Sequence, residues 1–329
     1  MCTSIAFSNP ALYGRNLDLE TSFGEQVVIT PREYPFHFHH RPVMEHHFAL
    51  IGMATVAANT PLYAEAVNEK GLYMAGLNFP GNAVYFPDDT GTEACITPYE
   101  LIPLILGGCA DLQQARRALE GLRITAIPFS PSYPLAPLHW HIADATGSIT
   151  AEPTAEGLKL YDNPAGVLTN NPPFPFQMMH LNLYQGLSPR QPENAFAPDL
   201  PLQPYGQGMG AVGLPGDWSP MSRFVRACFL KSHALFGEDS AENAVQFFHI
   251  MDAIAMVRGS VITPEGKPDL TIYSCCIDAQ KLIYYYKTYT SSRPCAVQLT
   301  EEACRGSVLA AFPPKRKPDI LFVGGKDPQ

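Results

Sequence analysis

Cys2-Thr3-Ser4-Ile5-Ala6-Phe7, the Asn9-Pro10 turn, and Leu12-Tyr13-Gly14-Arg15-Asn16-Leu17-Asp18-Leu19 decide how this chain is read. Two strand-like runs joined by a turn pair form an antiparallel hairpin. Folding the second run back brings Arg15 and Asp18 beside Cys2. Cys2 is small, so ordinary removal of Met1 exposes it with a thiol and a free α-amine on one residue. In ordinary surroundings a thiol titrates near ~8.5 and an α-amine near ~7.7–8.0. Such a residue carries a nucleophile and its own base, both titrating near working pH.

Working outward, Glu25–Thr30 reads as a third strand ended by Pro31, and residues 48–56 as a buried one. A hairpin spans 64–68 and 71–79, with Asn78 at its end ahead of Pro80-Gly81. Residues 98–122 form two helices split at Gly107-Gly108, the second capped by Asp111. Strands follow at 138–143, 148–152, 158–161 and 167–170, then a helix over about 174–187. A Pro- and Gly-rich loop covers 188–220. Its Gly206-Gln-Gly-Met-Gly210 mimics a dinucleotide fingerprint, but Pro204 precedes it and no strand feeds it. Asp89-Thr90-Gly91 matches the aspartic-protease triplet without a second copy. Helices over about 219–236 and 240–257 precede strands at 271–277, 281–288 and 295–299, and 305–329 reads as a loosely held tail. This order suits two sheets face to face with helices outside, in one domain spanning 1–329.

Lys plus Arg total 22 against 31 Asp plus Glu, without a basic run, so no nucleic-acid partner is expected. The eight cysteines (2, 95, 109, 228, 275, 276, 295 and 304) are too sparse for a disulfide scaffold and contain no CxxC pair; seven are read as reduced and structural. No signal peptide is read at the start and no apolar run reaches membrane-spanning length, so no membrane partner and a cytoplasmic protein are expected. His37, His39, His40, His46 and His47 are clustered, but no nearby Cys or carboxylate pattern completes a ligand set. Alternation instead puts Phe36 and Phe38 inward and His37 and His39 toward water. No metal or cofactor is expected.

Several motifs together resemble the choloylglycine hydrolase family: Met1-Cys2-Thr3, Gly14–Asp18, Asn68–Leu72, Ala75–Pro80, Gly166–Asn171, Gly213–Asp217, Ser222-Arg223-Phe224 and Ile283–Tyr286. Within that family the resemblance is to the conjugated bile salt hydrolases of Gram-positive gut bacteria. It runs in order over nearly the whole chain and fades after about residue 300. It implies an α+β, four-layer αββα sandwich of two mainly antiparallel sheets, the N-terminal-nucleophile hydrolase fold, usually as a homotetramer. It implies cleavage of the amide joining a bile acid to glycine or taurine. It implies catalytic positions at Cys2, Arg15, Asp18, Asn78, Asn170 and Arg223. Penicillin V acylases are similar relatives that tend to carry Tyr where this chain has Asn78, which favours the bile salt reading. A non-catalytic steroid-binding member of the family is a further alternative.

The chemistry asks for these residue types. An amide needs a nucleophile, a proton for its leaving nitrogen and donors for the oxyanion. A neighbouring cation raises the thiolate fraction of a cysteine, a role given to Arg15 and Arg223. Asp18 and Asn170 suit the orientation of the α-amine, and the Asn170 amide with the backbone N–H at Asn78 the oxyanion. A steroid needs an apolar wall, for which Leu19, Phe23 and Tyr63 are candidates because they adjoin the catalytic stretches.

Overall fold

The structure is a computed structural model and describes residues 1–87 and 92–324. The Asp89-Thr90-Gly91 triplet and the last five residues of the expected tail lie outside the described residues.

The opening hairpin forms as expected: β1 (Cys2–Ser8) pairs antiparallel with β2 (Ala11–Leu19), Cys2 opposite Leu17 and Ser4 opposite Arg15. Gly14 in β2 is required by close approach, because a Cβ there would lie 2.1 Å from the Cys275 carbonyl oxygen. The chain continues through β3 (Gln26–Thr30), β4 (Leu50–Ala57), β5 (Thr60–Asn68) and β6 (Tyr73–Asn78), then the two-residue β7 (Cys95–Ile96). Helices α1 (Leu101–Gly108) and α2 (Leu112–Leu119) follow, with Asp111 accepting from the Gln114 N–H at the start of α2. After β8 (Arg123–Ile124) come β9 (Leu138–Asp144), β10 (Gly147–Thr154), β11 (Gly157–Asp162) and β12 (Val167–Leu168).

The helix expected over 174–187 is α3 (Phe174–His180), continued as a 3₁₀ turn at Leu181–Tyr184. The 188–220 segment is irregular apart from one 3₁₀ turn at Met209–Ala211. Helices α4 (Pro220–His233) and α5 (Ser240–Asp252) start at Ser219 and Asp239 caps. Then come β13 (Val261–Ile262), β14 (Pro268–Asp278), β15 (Ile283–Thr288), β16 (Ser291–Gln298), α6 (Glu301–Cys304) and β17 (Ala310–Phe312).

One seven-stranded sheet runs β12-β1-β2-β14-β15-β16, with β13 on β14; an eight-stranded sheet runs β11-β10-β9-β6-β5-β4-β3-β17. Every neighbouring pair in both is antiparallel. Helices α4 and α5 cover the first sheet; α1 and α2 cover the second. The result is the expected αββα sandwich. Cys275 and Cys276 face opposite ways, as neighbours in a strand must, yet both are fully buried because each sheet has a layer on either side. All eight cysteines are free thiols.

Two expectations need revision. Part of the 305–329 segment is docked: β17 pairs with β3, Thr288 and Thr290 donate to the Lys315 and Arg316 carbonyls, and Arg316 reaches Glu25 at 3.2 Å. The second concerns Tyr63. A β-bulge leaves Ala64 unmatched between the Met53–Glu65 and Ala54–Tyr63 pairs. It turns Tyr63 into the outer core, where its hydroxyl bonds Thr30 Oγ1 at 2.7 Å. The expected alternation is seen at residues 36–39: Phe36 and Phe38 pack into that core while His37 and His39 are exposed.

Candidate active site

All six expected catalytic residues meet at one end of the sandwich. Arg15 shares a face of β2 with Leu17 and points between the sheets. There its Nη2 donates to Cys2 Sγ at 2.6 Å, while Nη1 donates to the Gly76 and Ala64 carbonyls at 2.6 and 3.0 Å. Asp18 points to the opposite face, toward α4. Arg223 on α4 comes in from that side, donating to the Cys2 carbonyl at 2.5 Å, to Thr3 Oγ1 at 2.6 Å and to Asn170 Oδ1 at 2.6 Å. Asn170, just beyond β12, accepts from the Cys2 backbone nitrogen at 2.9 Å and donates through Nδ2 to the Asn78 carbonyl at 2.6 Å. Asn78 ends β6, so this last bond joins the two sheets.

A bulge in β14 makes the arrangement possible. Thr271 pairs with Asp18 and Tyr273 with Leu17, which leaves Ile272 extra. In a regular strand residues 271 and 273 would share a face. Here Thr271 donates to Asp18 Oδ1 at 2.6 Å on the helix side, and Tyr273 points between the sheets. Burial pushes the Asp18 carboxyl above its ordinary value, against the pull of Arg223 and the terminal amine. Its Oδ2 is buried without a partner among the described residues. Burial also works against the charge on Arg15, but Cys2, Tyr273 and Glu65 outweigh it and raise that group further. Burial lowers Arg223.

Met1 sits over the site. Its carbonyl accepts from the Asp18 N–H at 2.9 Å, and its ammonium donates to the Asp18 carbonyl at 2.5 Å and lies 3.5 Å from Asp269 Oδ2. With Met1 in place the Cys2 nitrogen is a peptide nitrogen, and Cys2 is only 2% exposed.

The family model for linear amide C–N hydrolases, choloylglycine hydrolase family, matches residues 2–309. The chain belongs to the choloylglycine hydrolase family. Among relatives of this choloylglycine hydrolase family member, a bile salt hydrolase/transferase of Lactiplantibacillus plantarum is 44% identical over 95% of this chain and 97% of its own length. One from Clostridium perfringens is 37% identical over 95% and 96%. The crystal structure of the C2A mutant conjugated bile acid hydrolase from Clostridium perfringens superposes with a TM-score of 0.89 at 36% identity, covering 98% of this chain and 100% of that one. Penicillin V acylase from Agrobacterium tumefaciens, at 18% identity and a TM-score of 0.73 over 95% and 91%, shares the fold.

In this choloylglycine hydrolase family member two of the three residues expected to form an apolar wall, Leu19 and Phe23, line one cleft. A cleft of about 280 Å³ is lined by Leu17, Leu19, Phe23, Leu62, Ala64 and Leu135, among others. Hollows of about 350 and 370 Å³ lie elsewhere. The 280 Å³ cleft adjoins the site, because Leu17 faces Cys2 in register and the Ala64 carbonyl holds Arg15. Leu62 takes the place that the sequence reading gave to Tyr63, since the Ala64 bulge leaves the odd-numbered neighbour on the far face. The two arginines are placed differently: Arg15 donates to the sulfur, while Arg223 donates to the Cys2 carbonyl and Asn170. Glu65 was missed entirely. Its signal, a lone carboxylate within the apolar run Ala64-Glu65-Ala66-Val67, was present in the sequence. Burial pushes Glu65 up, opposed by Arg15 at 3.6 Å and by hydrogen bonds from Tyr284 and Tyr273.

Proposed function

We propose that this chain is a bile salt hydrolase that cleaves the amide between a bile acid and glycine or taurine, with Cys2 as nucleophile once Met1 is removed. The observation that carries the reading is the pair of contacts on one residue: Arg15 on Cys2 Sγ and Asn170 Oδ1 on Cys2 N. The first stabilises a thiolate. The second orients the nitrogen that becomes the α-amine, and the free Asp18 Oδ2 offers it a further acceptor.

In the proposed sequence the α-amine takes the thiol proton as sulfur attacks the amide carbonyl. The tetrahedral oxyanion is held by the second N–H of Asn170 Nδ2 and the backbone at Asn78. The ammonium then gives its proton to the departing nitrogen of glycine or taurine. This leaves a thioester, which water hydrolyses to free bile acid and restored thiol. The steroid lies along Leu19, Phe23 and Leu62, apolar surface suited to it.

Relatives named as bile salt hydrolases, at 44% and 37% identity, support the substrate class over penicillin V. The single domain over 1–329, a cytoplasmic location and a homotetramer belong to the same proposal. Phe196 and Tyr205, 89% and 92% exposed on the 188–220 segment, support that segment as an arm that packs on a neighbouring subunit.

Intact mass combined with turnover tests the reading. Chains lacking Met1 should release glycine or taurine from conjugates, and Cys2→Ala should abolish release while keeping the fold. Turnover by chains that retain Met1 would overturn the α-amine as base. Release of 6-aminopenicillanic acid from penicillin V without bile salt cleavage would favour the acylase. Steroid binding without turnover in the wild type would favour a non-catalytic member.

A further inference from the structure

We propose that Glu65 is a positioning residue that shares Arg15 with Cys2 and thereby sets how readily the sulfur ionises; this rests on the reading of Cys2 as nucleophile. Glu65 and Arg15 are both fully buried, with Arg15 Nη1 3.6 Å from Glu65 Oε2. The carboxylate is met by three further donors: Tyr273 at 2.7 Å on Oε2, and Tyr284 at 2.5 Å and the Cys275 thiol at 3.6 Å on Oε1. Two phenols, a thiol and a guanidinium around one carboxyl group form a setting for an acceptor, the ionised form.

Arg15 therefore stands between two acidic groups, with Glu65 at Nη1 and Cys2 Sγ at Nη2. A cation already matched by one anion stabilises a second anion less than an unmatched cation would. The Gly76 and Ala64 carbonyls hold Arg15 in place, and Glu65 adds the charge that partly matches it and so restrains the thiolate at Cys2. The other titratable or charged groups facing this cluster are Tyr73 from β6, whose hydroxyl meets Ser4, and His141 from β9, which bonds the same serine. Around Cys2 they are Asp18, Arg223, Asp269 and the terminal amine. None of these contacts Glu65 in place of Arg15.

The test is the pH dependence of Cys2 alkylation by iodoacetamide, read on the Cys2 peptide by mass spectrometry in chains lacking Met1. Glu65→Gln keeps the shape and removes the charge, so the alkylation midpoint should fall by on the order of one pH unit. Glu65→Asp keeps the charge one methylene further from Arg15 and should fall between the two. A role in packing alone would lower Tm without moving the midpoint. A folded Glu65→Gln with an unchanged or higher midpoint overturns the proposal. Should Glu65→Gln not fold, a Glu65→Asp midpoint at or above that of the wild type does the same. If alkylated wild-type chains retain turnover, the nucleophile reading fails, and the midpoints still decide the Glu65–Arg15–Cys2 coupling.

Discussion

Arg223 Nη2 donates to Asn170 Oδ1 at 2.6 Å, and the same oxygen accepts from the Cys2 nitrogen at 2.9 Å. One amide oxygen thus joins a helix cation to the residue that bears the sulfur. The amide is thereby fixed with its nitrogen toward Asn78.

Asn170→Ala removes this link and an oxyanion donor. Turnover of a glycine-conjugated bile acid should fall by about 10²–10³-fold in kcat with KM little changed. Steady-state kinetics on the folded variant checks this.

The cleft and the outer core make contrasting claims about two aromatic residues. Phe23 is 46% exposed and lines the cleft, so Phe23→Ala should raise KM by about tenfold, in line with ~1.5 kcal/mol of lost apolar contact. Tyr63→Phe removes the hydroxyl bonded to Thr30 and should cost about 1 kcal/mol of stability with KM unchanged. Measuring KM and Tm for both variants separates wall from core.

Gly14 has no room for a methyl group, since it meets the Cys275 carbonyl on one side and Phe247 on the other. Gly14→Ala should destabilise the protein by about 1–3 kcal/mol by parting β2 from β14. A lowered Tm, with turnover falling because Arg15 moves, is the expected result.

His141 is fully buried with Nε2 unpartnered among the described residues, and burial lowers its pKa from 6.5 to about 3. The folded state refuses a proton that the unfolded state accepts. The stability contribution is therefore present above 6.5 and is lost as pH falls through about 3. Asp18 and Glu65, pushed up by burial, act in the opposite sense, so the comparison must be between variants. Between neutral pH and about pH 4, urea-unfolding free energy should fall less steeply for His141→Gln than for the wild type.

Much of this site was legible because it hangs on local pattern. The Asn9-Pro10 turn sets the hairpin, and the hairpin alone returns Arg15 and Asp18 to Cys2. The motif resemblance supplied Asn78, Asn170 and Arg223, which local pattern could not bring together because their contacts span 53 to 221 residues of chain. Tyr63 was misplaced because nearness in sequence to the catalytic stretches does not say which face of a strand a residue takes, and the Ala64 bulge turns it into the outer core. Glu65 escaped because a carboxylate in an apolar run gains its meaning only when Arg15, Tyr273 and Tyr284 arrive from the other sheet. The pairing of β17 with β3 was hidden for the same reason, being a contact across 281 residues between Ala310 and Ile29.

That last pairing has a practical consequence. β17 shields the outer rim of the eight-stranded sheet, where Val27, Val28 and Ile29 would otherwise present open amides beside apolar side chains. Shortening the chain before Ala310 would bare this edge and leave its amides open to pairing with a second chain, a liability that Ala310–Phe312 cover without touching any of the six residues around Cys2.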